Sequence, residues 1–540
     1  MHIQACSLDA DTKPGELCSD HSITDANAVA SVDHKPQLNF YRHGINQSQD
    51  EQNIIPVPPI NALPTELLIL IFKFAHYLWW KTFFKKERAD WPALWDKSIR
   101  KQMRSGYPEV LTHVCYFWRQ VVFSSPTLWS YIDLFTLGQP PQFTLDRSSA
   151  FIARAQSHEL TLRVRLRHGT HEPVSECTLI NDFCSSIGPR LNSLRIDNNS
   201  PSDSITLFSS VIQATLPHTT PGILTKLDIK DHSVRTISNY SGNSDGLAGW
   251  LLPAPESFGV SQHLLDDIIH PIKILRLSGQ FFPWTSPAYR GLVELHLQCT
   301  RPHYGHRPSV QVDQLREILL ACPELRIFHI NININEQSLP TALSPVPLPE
   351  LEELNLRGLK RSLYDLLLPL LSPGQKPLQI TFQTQRVIPS ILYCSTLLSF
   401  FRRTNVTSLY IVNRLTSCQH LSLDLLLTES PINLHTLGLE RFHIAGLEPS
   451  RLYYIRTLAP MQLNRLYLRK CIIDMDAVKN MAEIFPAQIL KLHEPEFQCE
   501  PNNEVTQVRE KICSMFPIVK WVRSTRGMEL WDAWEMQYFD

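Results

Sequence analysis

Glycine is scarce in this chain of 540 residues: the 19 present are about half of the usual ~7 %. Glycine-rich loops that cradle phosphates therefore have few places to form. The 12 cysteines are scattered singly, with no Cys-x-x-Cys pair, which fits reduced thiols better than a disulfide framework or a zinc module. Cys115, Cys322 and Cys471 sit among Leu and Val as small core residues would, and Cys177 and Cys184 fall near one helix face. No run approaches about 18 apolar residues, and the N-terminus lacks a basic segment followed by an apolar one. The expectation is an intracellular protein of the cytoplasm or nucleus. Charge of one sign is missing too. With 51 Lys plus Arg against 52 Asp plus Glu, a net charge of -1 provides no footprint for nucleic acid and no bias toward anionic membrane. No Gly-x-Ser-x-Gly elbow, Gly-x-x-x-x-Gly-Lys loop or His-Glu-x-x-His helix occurs, so no enzyme, cofactor or metal site is expected. The pairs His168/His171 and His303/His306 lie in Pro- or Gly-containing stretches and read as surface loops.

What is present begins after residues 1–57, a Ser-, Asn-, His- and Gln-rich stretch that reads as a disordered tail. Pro64 suits a first helical turn, and Leu67, Leu68, Ile71, Phe72 and Ala75 follow at spacings of three and four, predicting a helix of about three turns. Leu111, Val114, Cys115, Trp118, Val121 and Val122 repeat that spacing in a second helix. Ser125-Pro126 reads as an N-cap and first position of a short third turn carrying Leu128 and Trp129. Between them, residues 79–108 mix Trp and Phe with Lys and Arg, and their acidic neighbours Glu87, Asp90 and Asp96 suggest a folded insertion.

Leu63-Pro64-x-Glu66-Leu67-Leu68, Ile71-Phe72, Val114-Cys115-x-x-Trp118-Arg119 and Leu128-Trp129 together resemble the F-box, most like the F-box and leucine-rich-repeat proteins of mushroom-forming fungi. The match covers about residues 60–135, and the module is taken as 58–137. One departure is Tyr116-Phe117, where the family usually has a basic residue directly after the Cys.

Beyond Gly138-Gln139-Pro140-Pro141 one pattern returns. Leu160 to Leu166 alternates as a strand, and apolar-x-x-apolar-x-apolar then recurs around Leu194, Leu227, Leu275, Leu295, Phe328, Leu354, Leu409, Leu437 and Leu466, with a degenerate copy at Leu378-Gln-Ile380-Thr-Phe382. Several spacings lie near the ~20 to 29 residues of a leucine-rich repeat. Helical spacing fills the intervals from Val312 to Cys322, where Pro323 stops it, and from Met475 to Phe485. The fold expected is α/β: a small helical F-box module followed by a leucine-rich-repeat solenoid over 144–495, parallel strands on the concave face and helices on the convex one. Residues 496–540, with Trp521, Trp531 and Trp534, read as a C-terminal cap, and Ser241 to Glu256 as a loop at one rim.

Strand positions between the apolar ones should face solvent, among them Arg195, Lys226, Asp228, Arg276, Glu294, His296, His329, Glu353, Asn355, Tyr410, His435, Arg465 and Tyr467. Beside a cryptic enzyme, which the missing motifs disfavour, two functions remain open. In the first, the resemblance implies a substrate receptor of an SCF-type ubiquitin ligase. Leu63, Pro64, Leu67, Ile71, Val114, Cys115 and Trp118 would bind a Skp-type adaptor and through it a cullin ligase core. A protein substrate of unknown identity would lie on Arg276, Glu294, His296, Glu353, Asn355, Tyr410 and Tyr467. In the second, a non-catalytic repeat scaffold binds the adaptor without ubiquitin transfer.

Overall fold

The computed structural model describes residues 60–85, 106–135, 141–166, 174–198, 205–231, 261–299, 309–335, 344–384, 395–413, 419–421, 431, 433–446, 462–498 and 505–522. The tail 1–57, the middle of the insertion (86–105), the rim loop 241–256, both histidine pairs and residues 523–540 lie outside the described residues.

A 14-stranded sheet organises the chain, with every neighbouring pair parallel and strands in sequence order. Its strands are β1 (Tyr131–Phe135), β2 (Leu160–Leu166), β3 (Leu191–Asn198), β4 (Lys226–Asp231), β5 (Ile274–Ser278), β6 (Glu294–Gln298) and β7 (Ile327–Asn331). They continue with β8 (Glu353–Leu356), β9 (Leu378–Thr384), β10 (Val406–Asn413), β11 (Thr436–Glu440), β12 (Leu463–Arg469), β13 (Ala487–His493) and β14 (Ile518–Val522). Sequential parallel strands need a return segment after each one, and that makes a solenoid.

Two apolar columns cross the whole sheet. One runs from Ile132 through Leu162, Leu194, Leu227, Leu275, Leu295, Phe328, Leu354, Ile380, Leu409, Leu437 and Leu466 to Leu490 and Val519. The other, two residues further along each strand, runs from Leu134 through Val164, Ile196, Ile229 and Leu277 to Leu492 and Trp521. Nearly all of these side chains are buried in one continuous core. Each such Leu contributes up to ~1.5–3 kcal/mol, which explains why the pattern holds register over so many repeats.

The returning segments vary more than the strands. Helices return the chain at Pro141–Ala155, Val174–Ile187, Ile205–Thr215, Gln262–Ile269, Val312–Leu320, Arg361–Leu370, Ser395–Arg403, Met475–Ile484 and Val505–Met515. Between β5 and β6 the return contains only a 3-10 turn, Pro287–Tyr289, and between β7 and β8 it includes a short strand, Val346–Leu348. The expected strand-plus-helix unit is thus corrected for the return between β5 and β6, while residues 336–343 of the return between β7 and β8 lie outside the described residues. Pro283 and Pro287 interrupt the interval from Ser278 to Glu294 and disfavour a longer helix there. Gly279 makes the corner after β5 with φ 85, and a Cβ there would stand 2.3 Å from the Asp231 carbonyl oxygen. Arg441, Lys470 and Glu494 take the same left-handed corner after β11, β12 and β13 with φ of 61, 50 and 49. Each corner leads into a short strand, and Gln419–Leu421, Phe442–Ile444, Ile472–Asp474 and Glu496–Gln498 form a second parallel sheet beside the first.

The repeat pattern missed three main strands. β1 lies in the stretch read as the end of the helical module, and β13 and β14 prolong the sheet to Val522. In each, a non-standard residue occupies a motif position: Trp129 opens the motif of β1, Ala487 opens β13, and Trp521 ends the motif in β14.

Candidate binding surfaces

Helix α1, Thr65–Lys85, runs 21 residues rather than about three turns, because no Gly or Pro between Glu66 and Lys85 stops it. Its apolar residues divide into two stripes. Leu68 and Phe72 are buried at 0% and 1% exposure, while Leu67, Leu70, Ile71 and Phe74 stand 46%, 59%, 41% and 58% exposed. The outward stripe has the i, i+3, i+4, i+7 spacing of one helix face, so α1 is apolar on its solvent side as well as its core side.

The second helix is not continuous from Leu111. A 3-10 turn, Glu109–His113, ends at Val114, and Cys115 is extended (φ -156, ψ 172) before α2, Tyr116–Phe123. Cys115 caps α2 by accepting the Trp118 N–H on Sγ at 3.4 Å. It is therefore a half-buried cap rather than a core residue. The break leaves Val114 56%, Tyr116 74% and Phe117 36% exposed.

Trp118 ties the two helices together. Its ring lies 4.8 Å from that of Phe72, and its Nε1–H donates to Asn61 Oδ1 at 2.9 Å. Leu63 and Pro64, two and three residues after Asn61 in the chain, are half-buried and exposed. Ser125 does not cap as expected; its hydroxyl donates to the Val121 carbonyl at 2.5 Å, and Pro126–Leu128 still forms a 3-10 turn. Trp129 closes the module onto the repeats, its ring 5.0 Å from Phe151 and its Nε1–H donating to the Val122 carbonyl at 2.9 Å. The seven residues expected to meet an adaptor thus belong to one module. Leu70, Phe74, Tyr116 and Phe117 join them, and the first two were visible in the spacing from Leu67.

On the sheet, the face opposite the apolar columns carries three polar columns. Strands stack about 4.8 Å apart while helices need about 8–10 Å, so the sheet side is the shorter, concave arc. The central column reads Asp133, Arg163, Arg195, Asp228, Arg276, His296, His329, Asn355, Thr381, Tyr410, Gly438, Tyr467, Lys491 and Lys520. These residues do not stand free in solvent. Glu294, Glu353, Asn355, Tyr410 and Tyr467 are all buried. Neighbouring strands bring large polar side chains against one another, and they satisfy each other laterally.

The pairings follow the register. Arg276 Nε donates to Glu294 Oε1 at 2.5 Å, and His296 Nε2 lies 2.7 Å from the same oxygen. His329 Nε2 and Glu353 Oε1 are 2.7 Å apart, and the His296 and His329 rings stack with centroids 3.7 Å apart. Burial opposes ionisation of Glu294, but the His296 contact and the Arg276 charge hold its carboxyl well below the usual range. Burial, helped by the neighbouring His329, brings His296 down to about 3 against the pull of Glu294, so it is neutral at pH 7. Further along, the Tyr410 ring leans over Gly438, where a Cβ would stand 2.2 Å from it, and Lys491 Nζ sits 4.9 Å from the Tyr467 ring centre. Asp197, Lys230, Arg163 and Arg165 belong to this face as well. Arg163 and Arg165 follow from the alternation of Leu160 to Leu166, whereas Asp197 and Lys230 lie just past the repeating motif and are placed by strand register.

Cys322 lies in the core, where burial raises its thiol to about 11. Among the described residues no group of three or more His, Cys, Asp and Glu side chains is arranged to hold a metal ion. No helix among them is long and apolar enough to cross a membrane.

No family model and no curated protein matches the chain. Among solved structures it is similar to an internalin from Listeria monocytogenes, at 13% identity over 63% of this chain and 83% of that chain, with a TM-score of 0.27. So loose a likeness adds nothing to the strand register, which by itself defines the repeat fold.

Proposed function

We propose that this chain is a substrate receptor: its N-terminal helical module docks a Skp-type adaptor of a cullin ubiquitin ligase, and its repeats hold a protein to be modified. The observation that carries the reading is the outward apolar stripe Leu67, Leu70, Ile71 and Phe74 on a helix whose other face is already buried. A small module exposing so much apolar surface needs a protein to cover it. The agreement of Leu63, Pro64, Glu66, Trp118 and Trp129 with the F-box pattern supports an adaptor as that protein. In this reading the chain has no bond to make or break, since rate enhancement comes from holding a substrate lysine near a ubiquitin-carrying enzyme.

The outward position of these residues makes the test clean. Leu67→Asp with Ile71→Asp leaves the buried Leu68 and Phe72 in place, so the fold should survive. Titration of purified chain with a Skp-type adaptor should show at least a roughly hundredfold loss of affinity, because a carboxylate would be desolvated against an apolar partner. Unchanged affinity in a folded double variant rejects the reading.

A further inference from the structure

We infer that the first half of the open sheet face binds an acidic segment of a partner protein. The inference rests on the reading of that face as the substrate surface and names the class of substrate. Across β1 to β6 the three open-face columns hold Arg163, Arg165, Arg195, Lys226, Lys230 and Arg276, against Asp133, Asp197, Asp228 and Glu294 as anions. A chain with a net charge of -1 has therefore gathered a local cationic excess on one surface.

Depth separates the outer cations from the anions. The side chains of Asp197, Asp228 and Glu294 keep 7%, 1% and 8% of their exposure, and Arg163 and Arg165 lie as deep at 6% and 3%, whereas Arg195, Lys230 and Arg276 keep 24%, 24% and 27%. Carboxylates sit at the base and hold the cationic stems: Arg195 reaches Asp197 at 3.2 Å and Asp228 at 3.4 Å, and Lys230 lies 3.8 Å from Asp228. What a partner meets first is positive. The cations also crowd each other. Burial and then the Arg195 charge bring Lys230 down to about 8, and burial and then Arg276 lower Lys226, so an added anion would relieve a repulsion already present. A peptide fits this layer better than a single-stranded nucleic acid, because the open-face positions of β2 to β6 hold no Phe, Tyr or Trp on which bases could stack.

The test uses the full chain and a labelled peptide of twelve glutamates, with twelve glutamines and a twelve-nucleotide single-stranded DNA beside it, followed by fluorescence anisotropy. The glutamate peptide should bind more tightly than both others and weaken as salt rises. Lys226→Glu with Lys230→Glu should reduce that affinity at least about tenfold, with Lys226→Gln and Lys230→Gln between it and the natural chain. Circular dichroism and adaptor capture on the same samples should not change. Equal binding of glutamate and glutamine peptides, tighter binding of DNA, or affinity unmoved in folded variants each overturns the inference. Failure of the natural chain to capture adaptor would instead overturn the receptor reading and leave acidic-segment binding standing.

Discussion

Leu67 and Leu68 are chain neighbours with opposite duties, and the sequence motif alone does not separate them. Leu68 and Phe72 fill the core of the module, so Phe72→Ala should cost about 3–5 kcal/mol in urea unfolding. Leu67→Ala, at an exposed site, should change stability by less than about 0.5 kcal/mol and act only on binding. His76 is a second residue whose environment decides its behaviour. It is buried, stacked on Tyr107 with ring centres 4.5 Å apart, and burial lowers its pKa from 6.5 to about 4 although Asp133 pulls it back up. In the unfolded chain such a His takes a proton at about 6.5, whereas the folded one resists until about 4. Its neutral form therefore supports folding above pH 6.5, and that support is lost as pH falls from 6.5 toward 4. Urea unfolding at pH 7.5 and pH 5 should show a smaller acid loss in His76→Phe than in the natural chain, and an identical loss in both would contradict the assignment.

At the scale of elements, strands were legible and their partners were not. An apolar-x-x-apolar-x-apolar motif repeats because each copy feeds the same two columns, and even the degenerate copy at Leu378 became β9. The strands β1, β13 and β14 escaped because one motif position held Ala or Trp. The contact of Arg276 with Glu294 joins residues 18 apart in the chain, a spacing without meaning until register is known. The break before α2 was hidden because Cys115, an apolar residue by period, acts as a cap through its sulfur. Corners between elements also leave a test. Gly279→Ala would force a Cβ onto the Asp231 carbonyl at positive φ and should destabilise the repeat by about 1–3 kcal/mol. Arg441→Gly, at an equivalent corner already occupied by a side chain, should stay within about 1 kcal/mol of the natural chain.

For the whole molecule, stacked repeats mean that local damage stays local. Leu354→Asp places a carboxylate in the apolar column between Phe328 and Ile380, at a cost of several kcal/mol. Hydrogen exchange should loosen β7 to β9 while the N-terminal module still captures adaptor, because each repeat supports only its neighbours. The receptor reading requires that the two surfaces act together on one partner. The most direct measurement is the half-life in cells of a protein captured by the repeats, with either the natural chain or Leu67→Asp with Ile71→Asp supplied. The account predicts that both chains capture the partner equally and that only the natural chain shortens its half-life. Equal half-lives with both chains would contradict it, leaving a repeat surface that binds a partner without delivering it.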